Sequence, residues 1–360
     1  MPRANIVARR FFLVLLALAA ASTGLSAAEL FITPSRGGHR PVIAGIAAAG
    51  QSVCLTMYHL SDDKVVRALL AARARGVRVR VILDQSALKE SRYLRPCRKL
   101  LAGGVEVRKS SPRFSLTHAK AMLVDGRRAF VMSLNLAGGA ASMRDYGVIT
   151  EDPAIAAGLA QLFETDWANA ENGTGNSPAV SDPRLVVSPV NSEARLEGLI
   201  DSADRELIAT VENLGDPVIQ EALLRAAGRG VAVRLIVPMC DLNDDPLRDY
   251  PFLDSLRRGG VRARVMPYPA TPRQPYMHAK MMVADGRSAY VGSVNYSVNS
   301  TTLARELGLL FSEPELISAL AATFARDWQA AVDVPAPPPS YCPGPAAPRS
   351  PRGRSRAWRR

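Results

Sequence analysis

The chain contains the same passage twice. Residues 117–135 read THAKAMLVDGRRAFVMSLN, and residues 277–295 read MHAKMMVADGRSAYVGSVN. Each copy carries a histidine and a lysine two apart, then an aspartate five residues past the lysine: His118, Lys120 and Asp125, then His278, Lys280 and Asp285. A single H-x-K-x-x-x-x-D constrains little. Two, at matching places in one chain, restrict the fold to a duplicated unit and point to one site built from both copies.

The duplication extends over the whole body. VCLTMYHLSDDKVVRALLAARARGVRVRVILDQ begins at Val53, and LIATVENLGDPVIQEALLRAAGRGVAVRLIVPMCD begins at Leu207. Each reads as strand, turn, helix, glycine, strand. Apolar residues recur at helical spacing (Val66, Leu69, Leu70; Ile219, Leu223, Leu224), and Gly76 and Gly230 stand where a left-handed helix cap is wanted. VRVRVIL and VAVRLIV follow as β-rich runs. Each half closes on an amphipathic helix in which Phe163 and Trp167 match Phe324 and Trp328, both tryptophans being expected in the core. Strands alternating with helices predict an α/β fold. The expected architecture is a duplicated sandwich, a mixed sheet flanked by helices in each half, with a pseudo-twofold and one shared site. The halves are expected at 29–170 and 184–333, joined by a polar linker at 171–183.

The formal charge of +12 suggests nucleic acid, but nine arginines in the first 28 and last 27 residues carry most of it, leaving about +3 for the body. Arginines at 3, 9 and 10, the apolar run FFLVLLALAAA and Ser26-Ala27-Ala28 form the expected signal peptide, residues 1–28, for export to the periplasm or medium. Arg9-Arg10-Phe11-Phe12-Leu13 also resembles a twin-arginine signal. From residue 334 the Pro- and Arg-rich tail is expected to be disordered, with peripheral contact between its basic end, including Trp358, and an anionic membrane as one use for it. Four cysteines (Cys54, Cys97, Cys240, Cys342) allow three full pairings, and the sequence does not choose among them. Cys54 lies in an apolar run that suits a buried thiol. No metal-ligand spacing is present, so neither a metal nor a cofactor is expected.

Residues i and i+2 of a strand point to one face, so each histidine projects beside its lysine while Ala119 and Ala279 turn away. Two imidazoles and two ammonium groups make a pocket suited to a phosphodiester, whose transition state spreads negative charge over oxygen. One histidine can attack phosphorus while the other protonates the leaving oxygen. Asn135 and Asn295, with Ser133 and Ser293 two residues earlier, are expected phosphate ligands. Asp145 and Glu306, 27 and 28 residues past their histidines, are expected to orient imidazoles, while Asp125 and Asp285 are expected to hold the motif loops together. His39 is read as a loop residue, and His59, next to Tyr58, as a surface or packing residue near the site.

This pattern resembles that of the phospholipase D superfamily, HxKxxxxD followed by GSxN, twice per active site. Tyr58, Asp62 and Gly76 and the run ARELGLLF (304–311) add to the likeness, which covers residues 30–333. Each half is also similar to the small secreted endonuclease of that superfamily, which dimerises to complete its site. Here both halves share one chain, so a monomer is expected. The resemblance implies a metal-independent phosphodiesterase working through a phosphohistidine, with His118 as nucleophile and His278 as general acid. It also implies that Asp145 and Glu306 each serve the histidine of the opposite half. The first copy departs from the pattern. Met132 stands where glycine is expected, a change that would reshape the phosphate pocket, and Asp145 is shorter than Glu306.

The expected substrate is a phospholipid, whose head group would be hydrolysed or transferred, with DNA or RNA, cleaved by a nuclease, as the alternative. A non-catalytic anionic-lipid or phosphate binder is the third reading. The acidic run 241–254, DLNDDPLRDYPFLD, disfavours nucleic acid, and apolar and aromatic tracts before the histidines (RFSLT; MPYPATPRQPYM) would form a wall for acyl chains or a base.

Overall fold

The computed structural model describes residues 28–138, 142–242, 249–340 and 342. The expected signal peptide lies outside them up to residue 27, and the tail, with Trp358, beyond residue 342. In the first half the elements are β1 (Glu29–Thr33), α1 (Arg40–Ala48), β2 (Ser52–Met57), α2 (Asp63–Ala74), β3 (Arg78–Leu83), α3 (Ser91–Ala102), β4 (Glu106–Lys109), β5 (Ala121–Val124), β6 (Arg128–Met132), β7 (Met143–Thr150) and α4 (Pro153–Asn172). The second half runs β8 (Leu185–Ser188), α5 (Ser192–Asp201), β9 (Glu206–Thr210), α6 (Pro217–Gly228), β10 (Ala232–Pro238), α7 (Tyr250–Arg258), β11 (Arg262–Met266), β12 (Tyr276–Met277), β13 (Lys280–Ala284), β14 (Ser288–Gly292), β15 (Glu306–Phe311), α8 (Pro314–Ala330) and β16 (Val332–Asp333). α4 continues two residues into the expected linker.

The two sheets follow one plan. The first is ordered β1-β7-β6-β5-β2-β3-β4 and the second β16-β11-β10-β9-β13-β14-β15-β8. In both, a parallel trio (β2, β3, β4; β9, β10, β11) meets an antiparallel meander that begins with the motif strand, β5 or β13. The mixed α/β sheet is thus duplicated, as expected. The repeat of local chemistry explains the repeat of structure. Asp62 and Asp216 cap α2 and α6 by accepting from the amides two and three residues on. Gly76 (φ 91°) and Gly230 (φ 88°) then take the left-handed conformation that ends each helix.

Each half has its own apolar core, and a further core lies between them. It joins Val131, Phe163 and Trp167 of the first half to Val291, Leu307 and Phe324 of the second, with Trp328 packed against it. Phe163 and Trp167 stack at 5.7 Å, as do Phe324 and Trp328, and the Arg108 and Arg264 guanidiniums lie over the two indoles.

Several local expectations are corrected. Met132 is fully buried in the first-half core and does not line the phosphate pocket. At the equivalent position Gly292 leaves no room for a side chain: a Cβ there would lie 2.5 Å from Tyr290 Oη and 2.4 Å from Gly308 Cα. A tyrosine hydroxyl therefore fills the space in the second half. His39 is not a free loop residue; it is buried at the start of α1, with Nδ1 2.7 Å from Asp62 Oδ2. The tail is ordered at its beginning, because Val334 is buried in the second-half core and Cys342 forms a disulfide with Cys240. Cys54 and Cys97 are buried free thiols. No helix among the described residues is long and apolar enough to cross a membrane.

Candidate active site

The motif strands are placed by backbone contacts between the halves. His118 and Ala119 donate their amides to the Arg305 carbonyl at 2.8 and 3.0 Å, and Arg305 donates to the Leu116 carbonyl. In the other direction β12 adds to the first sheet, Tyr276 facing Met143 and Met277 facing Arg144. Each motif segment therefore lies along the strand of the opposite half that carries the orienting carboxylate. Glu306 follows Arg305 directly, and its Oε2 is 2.8 Å from His118 Nδ1. Asp145 follows Arg144, and its Oδ1 is 2.8 Å from His278 Nδ1. The crossing of carboxylates between halves is thus present in the geometry.

The two arginines are clamped in turn. Arg144 forms a bidentate pair with Asp327 on α8 (2.6 and 2.7 Å), and Arg305 pairs with Asp166 on α4 at 3.1 Å. Both pairs cross between halves and are buried. Arg305 also donates to the Asn176 carbonyl and to Ser177 Oγ, strapping the linker against the site. Sequence reasoning missed these clamps. The signal was the arginine directly before each orienting carboxylate, in MRD and in ARE.

His118, Lys120, His278 and Lys280 are all buried, and both lysines are fully so. Each ammonium donates to the carbonyl of its own histidine (2.6 and 2.5 Å), which fixes the pairs on one face as the i, i+2 spacing requires. The two histidines line a single cavity of about 680 Å³, together with Asn135, Asn295, Asp145 and Glu306. Burial, and after it the Lys120, Lys280 and His278 charges, hold His118 well below the ordinary imidazole range. Burial also lowers Lys120 to about 7, against the pull of Glu306. Burial raises Glu306 to about 7, the Lys120 charge opposing it.

The other expected site residues divide. Asn295 Oδ1 accepts from the Asn213 amide, leaving its NH2 group as the donor available to the pocket, and Asn135 Oδ1 is buried with no hydrogen-bond partner. These two remain placed to meet a ligand. Ser133 and Ser293 are not: both are fully buried behind the site and do not line the cavity. Ser133 donates to Asp145 Oδ1 at 2.6 Å, and Ser293 exchanges hydrogen bonds with the Leu307 backbone. They steady the orienting strands and are corrected as phosphate ligands. Asp125 and Asp285 lie at the far ends of β5 and β13. Asp125 accepts the Gly50, Gln51 and Ser52 amides, and Asp285 accepts those of Asp204, Arg205 and Glu206. They hold the motif loops, as expected, and take no place in the pocket; both have φ of 52°.

The walls are mixed. His59 is sandwiched between the rings of Tyr58 and Tyr93 at 3.9 and 4.2 Å and lines the cavity; burial lowers it to about 3. Asp241, Leu242 and Asp249 from the acidic run line the cavity, as do Glu90 and Arg92. Leu116 of RFSLT lines it too, but Tyr276 does not; its hydroxyl is bonded to a carboxylate that sequence reasoning overlooked, Glu212. Among the described residues no cluster of three or more His, Cys, Asp or Glu side chains could hold a metal ion.

With this geometry in view, the comparisons with known proteins are specific. Residues 42–167 and again 196–328 match the family model described as cardiolipin synthase, PLD-like domain. The chain belongs to the phospholipase D superfamily. It is similar to a probable cardiolipin synthase of Bacillus subtilis (strain 168), 26% identical over 326 residues, 80% of this chain and 63% of the relative. It therefore spans less than two thirds of that relative's length. Among solved structures, the phosphatidylserine synthase of Haemophilus influenzae Rd KW20 aligns with a TM-score of 0.61 at 15% identity, over 85% of this chain and 86% of that one. A polyphosphate kinase from Porphyromonas gingivalis aligns at 0.62 and 19% identity, over 83% and 50%. At these identities the structural likeness speaks for the fold alone. The superfamily resemblance read from the doubled motif is thus borne out over both halves.

Proposed function

We propose that this protein is a phospholipase D-type phosphodiesterase that hydrolyses or transfers phospholipid head groups through a phosphohistidine, acting after export. The observation that carries the reading is the crossed pair: two histidines in one cavity, each bound at Nδ1 by a carboxylate from the opposite half. That contact fixes Nδ1–H on each ring and aims Nε2 at the cavity. The His118 Nε2 lone pair attacks phosphorus, the bond to the leaving oxygen breaks, and the proton on His278 Nε2 passes to that oxygen. His278 then takes a proton from water or an alcohol, whose oxygen attacks phosphorus and breaks the P–N bond. Asn135 and Asn295, which line the cavity, offer amide donors to the equatorial oxygens, and Lys120 and Lys280, buried behind the histidines, add positive charge to the site.

The relatives named as cardiolipin synthases support a lipid substrate. So do Glu90, Asp241 and Asp249 in the cavity wall, which against Arg92 leave it acidic on this side and oppose a polyanion. The test is turnover by the purified protein in EDTA, with phosphatidylcholine vesicles or single-stranded DNA, with and without glycerol as acceptor. Head-group release, with intact DNA, is the expected result. DNA cleavage without lipid turnover makes the protein a nuclease, and bound phosphate without turnover of either makes it a non-catalytic binder; both contradict the proposal.

A further inference from the structure

The two motif strands pair in the same register, which makes one difference between the halves interpretable. Thr56 faces Ala121 across β2 and β5, and Thr210 faces Met281 across β9 and β13. Two residues past the threonine stands Tyr58 in the first half and Glu212 in the second. Two residues before the histidine stands Leu116 in the first half and Tyr276 in the second. A tyrosine–leucine pair has thus been exchanged for a glutamate–tyrosine pair on one side of an otherwise twofold site.

The exchange changes what each histidine faces. Glu212 Oε2 lies 2.9 Å from Lys280 Nζ and 3.6 Å from His278 Nε2, while Oε1 accepts from the Tyr276 hydroxyl at 2.8 Å. His278 therefore has a carboxylate at each ring nitrogen, Asp145 at Nδ1 and Glu212 at Nε2. At 3.6 Å the Glu212 contact is an ion-pair distance, longer than a hydrogen bond, so what it offers a proton at Nε2 is a nearby negative charge. At the matching place His118 meets the Tyr58 ring edge-on at 4.9 Å, and Lys120 Nζ lies 5.1 Å from that ring. Among the described residues, the carboxylate in ion-pair range of His118 is that of Glu306, and it sits at Nδ1. Among the described residues no carboxylate is in ion-pair range of His118 Nε2; the Glu212 charge reaches this ring from farther off, and burial with the Lys120, Lys280 and His278 charges outweighs it. Burial would raise the Glu212 carboxyl, but the Lys280 and His278 charges and the hydrogen bonds from Lys280 and Tyr276 bring it below the ordinary range, so it stays ionised.

We propose that Glu212 is the positioning residue that breaks the twofold equivalence of the site and assigns its histidines their roles. It keeps a proton on His278 Nε2, which makes that ring the proton donor, and its absence opposite His118 leaves that ring the free lone pair a nucleophile needs. This rests on the phosphohistidine reading above. In the first step the proton that Glu212 has held leaves His278 for the departing oxygen. In the second, the proton taken from water or alcohol returns to His278 Nε2 beside Glu212, so the site closes the cycle with every proton restored.

The test reads where the covalent adduct forms. Wild type, E212Q and the double variant E212Y/Y276L, which copies the first half, are mixed in EDTA with bis(p-nitrophenyl) phosphate. This substrate's leaving group departs without a proton. The reaction is quenched in alkaline denaturant and the modified peptides are mapped by mass spectrometry. Wild type is expected to carry the adduct on His118. In both variants the share on His278 should rise at least about tenfold above the wild-type background, a proton's worth of bias having been removed. A purely structural role for Glu212 would change the amount of adduct but not its position. Adduct confined to His118 in all three proteins, or on His278 in wild type, overturns the proposal while leaving the phosphohistidine reading in place. No adduct in wild type during turnover overturns both. If the double variant does not fold, the near-isosteric E212Q decides by the same criterion.

Discussion

At the scale of single residues the site balances two buried groups that titrate close together. Lys120 is lowered to about 7 by burial, so the charge it offers a phosphate is present below that pH and lost above it. Glu306 is raised to about 7 by burial, so the carboxylate that accepts from His118 Nδ1 is present above that pH and lost below it. The two interact, and their limbs belong to the pair. The dependence of kcat/KM on pH is accordingly expected to be a narrow bell centred near 7, each limb falling about tenfold per pH unit. A plateau several units wide would contradict this balance. The histidines, lysines and orienting carboxylates were legible because their spacing repeats. Glu212 was not, because it stands where the first half has Tyr58 and so breaks the repeat. Ser133 and Ser293 were misread for a related reason: alternation along a strand says which residues share a face, not whether that face meets the cavity or the neighbouring strand.

At the scale of elements, the orienting strands β7 and β15 are held by ion pairs to the last helix of the opposite half. Removing one partner leaves a buried charge uncompensated. Arg144→Ala is therefore expected to cost about 3–5 kcal/mol in urea unfolding, with Asp327→Ala similar and the double variant less than their sum. Additive losses would mean that the pair is not coupled. The motif aspartates make the opposite case. Asp285 satisfies three backbone amides at the end of β13, away from the cavity. Asp285→Ala should lower stability by about 1–3 kcal/mol and leave kcat of the folded enzyme unchanged; a collapse of kcat at full stability would return Asp285 to the chemistry. The strand–helix–strand order of each half was legible from hydrophobic periodicity and from Gly76 and Gly230. The addition of β12 to the opposite sheet was not, since a two-residue strand leaves no periodic trace.

For the whole molecule, one chain builds a pseudo-twofold body around a shared core and closes it with a disulfide that joins Cys342 to Cys240, the residue before the cavity-lining Asp241. The bond spans 102 residues of sequence. Cys342→Ser is expected to lower stability by about 2–4 kcal/mol, read as a shifted guanidinium midpoint; an unchanged midpoint would show that the start of the tail contributes nothing. The sequence left this pairing open because four cysteines carry no register, and the Pro-rich text around Cys342 reads as unstructured until its partner is known. Duplication itself was the most legible property of the chain, and it leads to the central claim that both halves serve one catalytic centre. The direct measurement is the stoichiometry of the covalent intermediate, trapped in EDTA from wild-type protein during phospholipid turnover. At most one adduct per chain is expected, on His118, and none when Glu306 of the opposite half is replaced by alanine. Two adducts per chain, or an adduct undiminished by Glu306→Ala, would contradict a single site shared between the halves.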